Sequence, residues 1–269
     1  SLDWSLATNW DGAAPIDNAQ LSFGSSSATN LSNNIEGLTL GGLVFNSGAS
    51  AFTLSGNPVL LSGNITNQST AAQTIQLQMT LVGDRTLTTN TGAVTINGSI
   101  DDGGASHGLI KAGNGTLTLN GTNSFTGGIT VDAGTIVLSG ISPTGGGEPI
   151  ILNNGSTLHL AGTTVTNDII VPVGATVYLY KTVGTNVVNG RLTGGGSINE
   201  STGSGTFPAI HWNNDNSGFT GSIVSNGGSS HRWRFNTPEA GSASAAWILN
   251  STATDAYGFN FGSNSTISF

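Results

Sequence analysis

Apolar and polar residues alternate in this chain only in bursts of about five residues, and glycine or asparagine closes most of them. Phe52-Thr53-Leu54, Ile75-Gln76-Leu77-Gln78-Met79, Val94-Thr95-Ile96 and Thr116-Leu117-Thr118-Leu119 each read as a strand with one buried face. Ser55-Gly56-Asn57-Pro58, Val82-Gly83-Asp84, Asn97-Gly98, Asn114-Gly115, Asn120-Gly121 and Asn154-Gly155 are the turns between strands. Helix is disfavoured nearly throughout, since a Gly or Asn interrupts most windows of about ten residues. The fold class that follows is all-β.

Two architectures can be built from such strands. Asn-Gly closes two-residue hairpins of an antiparallel sandwich, because both residues tolerate the positive φ of a type I′ turn. A solenoid instead stacks short strands coil on coil, and repetition in the sequence favours it. Asn123-Ser124-Phe125-Thr126-Gly127-Gly128-Ile129-Thr130 is echoed, with one residue inserted, by Asn216-Ser217-Gly218-Phe219-Thr220-Gly221-Ser222-Ile223-Val224. Looser echoes are Leu61-Ser62-Gly63-Asn64-Ile65, Ile96-Asn97-Gly98-Ser99-Ile100 and Leu138-Ser139-Gly140-Ile141.

Composition agrees with stacking. Charged residues are 7 % where roughly a quarter is ordinary. Identical faces about 4.8 Å apart would turn any outward charge into a repulsive ladder, whereas Thr, Ser and Asn stack and hydrogen-bond. With 36 % hydrophobic residues the chain has more core than a disordered one, and its seven prolines are too few for collagen. No cysteine is present, so disulfides and zinc thiolates are excluded. Six Lys+Arg against fourteen Asp+Glu, a net charge of −8, argue against nucleic acid and against an anionic membrane surface. No run of about twenty apolar residues spans a bilayer as a helix. Both ends read as cuts in a longer polypeptide.

Residues 108 to 140 read Gly-Leu-Ile-Lys-Ala-Gly-Asn-Gly-Thr-Leu-Thr-Leu-Asn-Gly-Thr-Asn-Ser-Phe-Thr-Gly-Gly-Ile-Thr-Val-Asp-Ala-Gly-Thr-Ile-Val-Leu-Ser-Gly. This segment closely resembles the autotransporter-associated β-strand repeat, a unit of roughly thirty residues, through its Gly113–Leu119 core and its Phe125–Gly128 turn. Trp4 with Ala7-Thr8-Asn9-Trp10-Asp11, and Phe52-Thr53-Leu54-Ser55-Gly56 with Gly63-Asn64-Ile65, resemble the region before such a repeat. Arg232-Trp233-Arg234-Phe235 and Ala245-Ala246-Trp247-Ile248-Leu249-Asn250 resemble its continuation. The resemblance implies a right-handed parallel β-helix, export from a bacterium to its surface or surroundings, and a role as stalk, adhesin or display scaffold. It supplies no catalytic residue.

Within one continuous solenoid, residues 1–105 are expected to form an N-terminal capping and lead-in region and residues 106–269 the repeat rungs. No active site is expected. The histidines His107, His159, His211 and His231 lack metal-ligand spacing, and His159 in Thr157-Leu158-His159-Leu160 falls on the outward phase. Asp101-Asp102-Gly103-Gly104 and Gly145-Gly146-Gly147-Glu148 read as turns, since calcium-binding nonapeptides are absent. A polysaccharide-degrading β-helix would need converging carboxylates, and the acids are scattered. Pairs such as Thr86/Thr88, Thr116/Thr118 and Thr164/Thr166 are too irregular in spacing for an ice-binding lattice.

The alternative to a passive scaffold is a carbohydrate-binding module. Trp212, Asn213, Asn214, Asp215, Arg232 and Trp233 are its candidate residues, with indoles stacking on sugar and the polar groups holding hydroxyls. Against this stands the reading that the five tryptophans, clustered toward the two ends, close the core there. No cofactor or metal is expected. The expected partners are a glycan or another cell-surface ligand, and a second copy of the chain through self-association.

Overall fold

The computed structural model describes residues 2–182, 184–202, 209–226, 231–235, 245–250 and 257–261. The chain is an all-β parallel solenoid, with one short 3-10 turn, Ala7–Asn9, among those residues. Each coil passes along three faces. The first is a sheet of eleven strands, from Asn30–Asn33 to Ala246–Asn250, and every strand pair in it is parallel. Register partners on this face lie between 19 residues apart (Leu117 and Ile136) and 25 apart (Ile198 and Ile223). At about 4.8 Å per strand the stack is roughly 50 Å long.

The second face runs from Ala19–Phe23 through Ile65–Asn67, Arg85–Thr89, Leu109–Ala112 and Ile129–Val131 to Leu192–Gly194. The seven-residue strand Thr39–Phe45 bends across a corner at Gly41-Gly42, placing Leu40 beside Leu61 on the third face and Leu43 beside Ile65 on the second. The third face consists of Val59–Leu61, Met79–Leu81 and Ile100–Asp101, then a gap, then five strands from Thr164–Val165 to Tyr257–Phe261. The ladder passes residue 105 without a break, since Val94–Ile96 pairs directly with Thr116–Leu119.

Strict inside–outside alternation builds the core. Leu117 and Leu119 are fully buried, stacked in register between Val94 and Ile96 below and Ile136 and Leu138 above. Their neighbours Thr116 and Thr118 face outward, and Thr53, Thr74, Thr95 and Thr118 form an unbroken uncharged column. Ile75-Gln76-Leu77-Gln78-Met79 keeps its alternation but crosses a corner, with Gln73–Ile75 on the first face and Met79–Leu81 on the third.

The Asn-Gly pairs are corners, not hairpins. None of Asn97, Gly98, Asn120 and Gly121 has the positive φ of a type I′ turn. Instead they stack: Asn120 Nδ2 donates to Asn97 Oδ1 one coil below, at 2.9 Å. Glycine is needed there for space, because a Cβ on Gly98 would lie 1.8 Å from the Leu77 carbonyl oxygen. Gly98→Ala is therefore expected to destabilise the solenoid by about 1–3 kcal/mol, the cost of forcing an over-packed site apart. An unchanged urea midpoint would contradict that close approach.

In the third-face gap, side chains do the work of strands. Asn123 Oδ1 accepts from the Ile100 N–H (2.8 Å) and its Nδ2 donates to the Pro143 carbonyl (2.6 Å). Thr144 and Asn167 continue this buried ladder at 2.6 Å. The echo noted in the sequence is structural: Asn216 Oδ1 accepts from Leu192 N–H as Asn123 does from Ile100, and Phe125 and Phe219 are both fully buried.

Aromatic rings close the N-terminal end. Trp4 is completely buried, and Trp10 packs edge-on against it at 5.9 Å while its Nε1 donates to the Trp4 carbonyl. The cluster continues through Phe23, which stacks on Phe45 at 4.9 Å and lies 5.1 Å from Phe52.

Candidate functional site

The six residues proposed for sugar binding do not form one stacking platform. Trp212 shares the inward phase of Ile210 on strand Ala209–Trp212 and is 1 % exposed, so its indole has no face to offer. The expectation of stacking on Trp212 is corrected: alternation places it in the core. Asn213, Asn214 and Asp215 follow at a solvent-accessible corner. There Asn213 Nδ2 donates to Asn189 Oδ1 (2.8 Å), and Asn214 Nδ2 to the Asn189 carbonyl (2.9 Å). Hydrogen bonds from Ser217 hold the Asp215 carboxyl below its ordinary pKa. Arg232 and Trp233 lie on strand His231–Phe235, in register with Ala209 and Ile210, and their side chains are outside the described residues.

The histidines do not converge. His107 sits half-buried in the loop after Ile100–Asp101, His159 on the outward side of the first face, and His211 half-buried on the third face. The His231 side chain is outside the described residues. No group of three or more metal-ligating side chains occurs among the described residues.

The two adjacent aspartates are occupied as structural acceptors. Asp101 Oδ2 takes the Thr80 hydroxyl (3.1 Å), and Oδ1 the Gly103 N–H (3.0 Å). Asp102 receives Thr126 N–H and hydroxyl at 2.8 and 2.7 Å and Gly104 N–H at 2.9 Å. Burial pushes its carboxyl up, but these donors, with His107 N–H, outweigh it and hold the pKa at about 2. The folded value lies below the unfolded value of about 3.9. Asp102 thus stabilises the fold above about pH 4, and that contribution fades as pH falls through about 2. The stability difference between the chain and Asp102→Asn is expected to shrink from pH 4 to pH 2 in urea titrations; a pH-independent difference would contradict this.

Sequence reasoning missed three buried charges. Lys111 is fully buried, and its Nζ donates to the carbonyls of Ala112 (2.9 Å), Gly113 (2.7 Å) and Ala133 (3.0 Å), tying one coil to the next. Burial pulls its pKa down to about 8. Lys181 and Glu200 form an ion pair at 2.5 Å with both side chains wholly inside. Burial pulls Lys181 below its ordinary value against the opposing pull of the Glu200 carboxylate. The signal was available, because each of the three shares the phase of its strand's apolar residues: Leu109 for Lys111, Val177 and Leu179 for Lys181, Ile198 for Glu200.

Also missed were two tyrosines on the opposite phase. Tyr178 and Tyr180 point outward from Thr176–Thr182, with Tyr178 46 % exposed. His159, one strand below, meets the Tyr180 ring edge-on at 4.7 Å, and its Nε2 lies 2.8 Å from the Thr182 hydroxyl.

Comparison with known proteins agrees with this architecture. Residues 109–138 match the passenger-associated-transport-repeat family. In the solenoid this segment holds Leu109–Ala112 and Thr116–Leu119, the strand Ile129–Val131 stacked on the first, and all but the last residue of Thr135–Ser139 stacked on the second. The sequence unit of about thirty residues is thus one coil plus two strands of the next. The chain is 30 % identical over 183 residues, 67 % of its length, to the adhesin BmaC autotransporter of Brucella suis biovar 1 (strain 1330). It spans 5 % of that adhesin. No solved structure matches the chain. The chain thus carries a passenger-associated transport repeat within a stacked parallel solenoid, and is a bacterial β-helix of the cell surface or the secreted fraction.

Proposed function

We propose that this segment is a stiff, adhesive part of its parent passenger, a rod that holds contact surfaces away from the cell and transforms no substrate. One observation carries the reading. The first face keeps parallel pairing through eleven consecutive strands, so each coil is bonded along its backbone to the coils on either side. A structure of this kind transmits force along its axis and offers a long side wall for contact. The likeness to an adhesin supports the adhesive half, and the use of Asp101 and Asp102 as structural acceptors supports the non-enzymatic half.

Beads coated with the chain should adhere to epithelial monolayers above albumin-coated beads. The chain should also release no reducing ends from a panel of acidic polysaccharides. Absent adhesion would remove the adhesive role, and product release would replace it with an enzymatic one.

A further inference from the structure

The alternation that builds the solenoid also sorts its aromatic rings. Every tryptophan and phenylalanine whose side chain is described is buried or, for Trp10, packed against the core. Among the described side chains of the first face, the outward rings are His159, Tyr178 and Tyr180, gathered on two adjacent strands, Thr157–Ala161 and Thr176–Thr182. Elsewhere that face presents mainly Thr, Ser and Asn. Three rings on neighbouring outward positions of a hydroxyl-rich wall form a local departure from the pattern, and Tyr178 leaves nearly half its surface to solvent.

The geometry of the patch is fixed by the sheet. Tyr180 is in register with His159, and Tyr178 with Thr157. On the other side Asn199 is in register with Tyr178 and Ser201 with Tyr180. His159 braces Tyr180 edge-on and is itself held by Thr182. The footprint is about 7 Å along the strand and about 5 Å across it. Flat rings are thereby presented on a rigid support with hydroxyl and amide groups at the rim.

Charge narrows the ligand. Lys181, between the two tyrosines in sequence, turns inward to Glu200 and leaves the patch without a cation. Burial lowers the His159 pKa, so the imidazole is neutral at neutral pH. A phosphate or polyanion finds no partner here, on a chain of net charge −8. A peptide adding as an extra strand finds no free edge, since Thr157–Ala161 and Thr176–Thr182 are each paired on both sides. A neutral sugar fits what remains: its C–H face stacks on the Tyr178 ring, and its hydroxyls meet Asn199, Thr157 and the Tyr180 hydroxyl.

We propose that Tyr178, Tyr180 and His159 form a binding site for a neutral glycan on the outward wall of the solenoid. The proposal rests on the adhesive reading and gives it a location. Tyr178 is the stacking ring, Tyr180 the second ring positioned by His159, and Asn199 a hydroxyl-binding neighbour.

The test uses the whole chain on a printed array of neutral and sialylated glycans, beside Tyr178→Ala/Tyr180→Ala and Tyr178→Phe. Both substituted positions face outward, and circular dichroism would check that the variants keep the β-sheet signal. Neutral glycans should be bound by the chain, with a loss of about ten-fold in the double alanine variant and little loss in Tyr178→Phe. Binding to no glycan, binding confined to sialylated glycans, or binding that survives the double substitution would overturn the site. So would a concentration-dependent dimer that the double variant abolishes, which would make the patch a contact between copies. Bead adhesion separates the two readings. Adhesion by a chain that binds no glycan removes this site and leaves the adhesive role, whereas glycan binding without adhesion keeps the site and removes the role.

Discussion

Glu200→Leu is expected to destabilise the protein by about 3–5 kcal/mol, because it leaves the Lys181 ammonium buried with its carboxylate partner gone. Taking two charges out of water is costly, and their attraction repays that cost only while both are present. Restoring neutrality should therefore restore stability. Lys181→Met combined with Glu200→Leu is expected to come back to within about 1 kcal/mol of the parent, or to exceed it. The measurement is the urea unfolding midpoint of the parent, both single variants and the double. Additive losses in the double would show that the pair acts through something other than its charge. The pair joins strands Thr176–Thr182 and Ser197–Thr202, so a slip of either strand by one residue would bury an unmatched charge. Specifying the register between these two coils is the physical consequence of the pair, whatever its net contribution to stability.

Leu119→Ala is the second large effect, expected at about 2–5 kcal/mol. Leu119 has zero exposure and is stacked between Ile96 and Leu138, so truncating it opens a cavity at two coil-to-coil contacts at once. In a solenoid stability is close to a sum of such nearest-neighbour contacts, and the loss should begin at that coil. The adjacent outward substitution Thr118→Ala is the control and should stay within about 0.5 kcal/mol. Equal effects at the two positions would contradict the inside–outside assignment.

Much of the fold was legible because alternation is a local signal. Phe52-Thr53-Leu54 and Thr116-Leu117-Thr118-Leu119 place their residues as a period of two requires. What the sequence left open was the corner. Asn97-Gly98 suits a hairpin and a stacked corner equally well, and the contact that decides between them is made with Leu77 of the coil below, about twenty residues earlier. The third-face gap was hidden for a similar reason, since Asn123 replaces a strand by bonding to Ile100 and Pro143 on two different coils.

The candidate site was less legible because residue type and phase point to different places. Trp212 attracted a sugar-binding role by its chemistry, while its spacing from Ile210 already placed it inside. Lys111, Lys181 and Glu200 occupy apolar phases, and Tyr178 and Tyr180 occupy a polar one. In a chain with so regular a period, residues that violate the phase are the ones that mark internal locks and outward contact surfaces.

Successive coils stack in parallel register at a constant step. With no native cysteine, the chain accepts spin labels cleanly at introduced cysteines. Thr53, Thr74, Thr95, Thr118, Val137, His159, Tyr180 and Ser201 form one outward column. Pulsed electron paramagnetic resonance on Thr53→Cys/Val137→Cys and Thr53→Cys/Ser201→Cys should give distances centred near about 19 Å and about 34 Å, a step of about 4.8 Å per coil. Distances that fail to grow with coil number, as in an antiparallel sandwich, would contradict the solenoid.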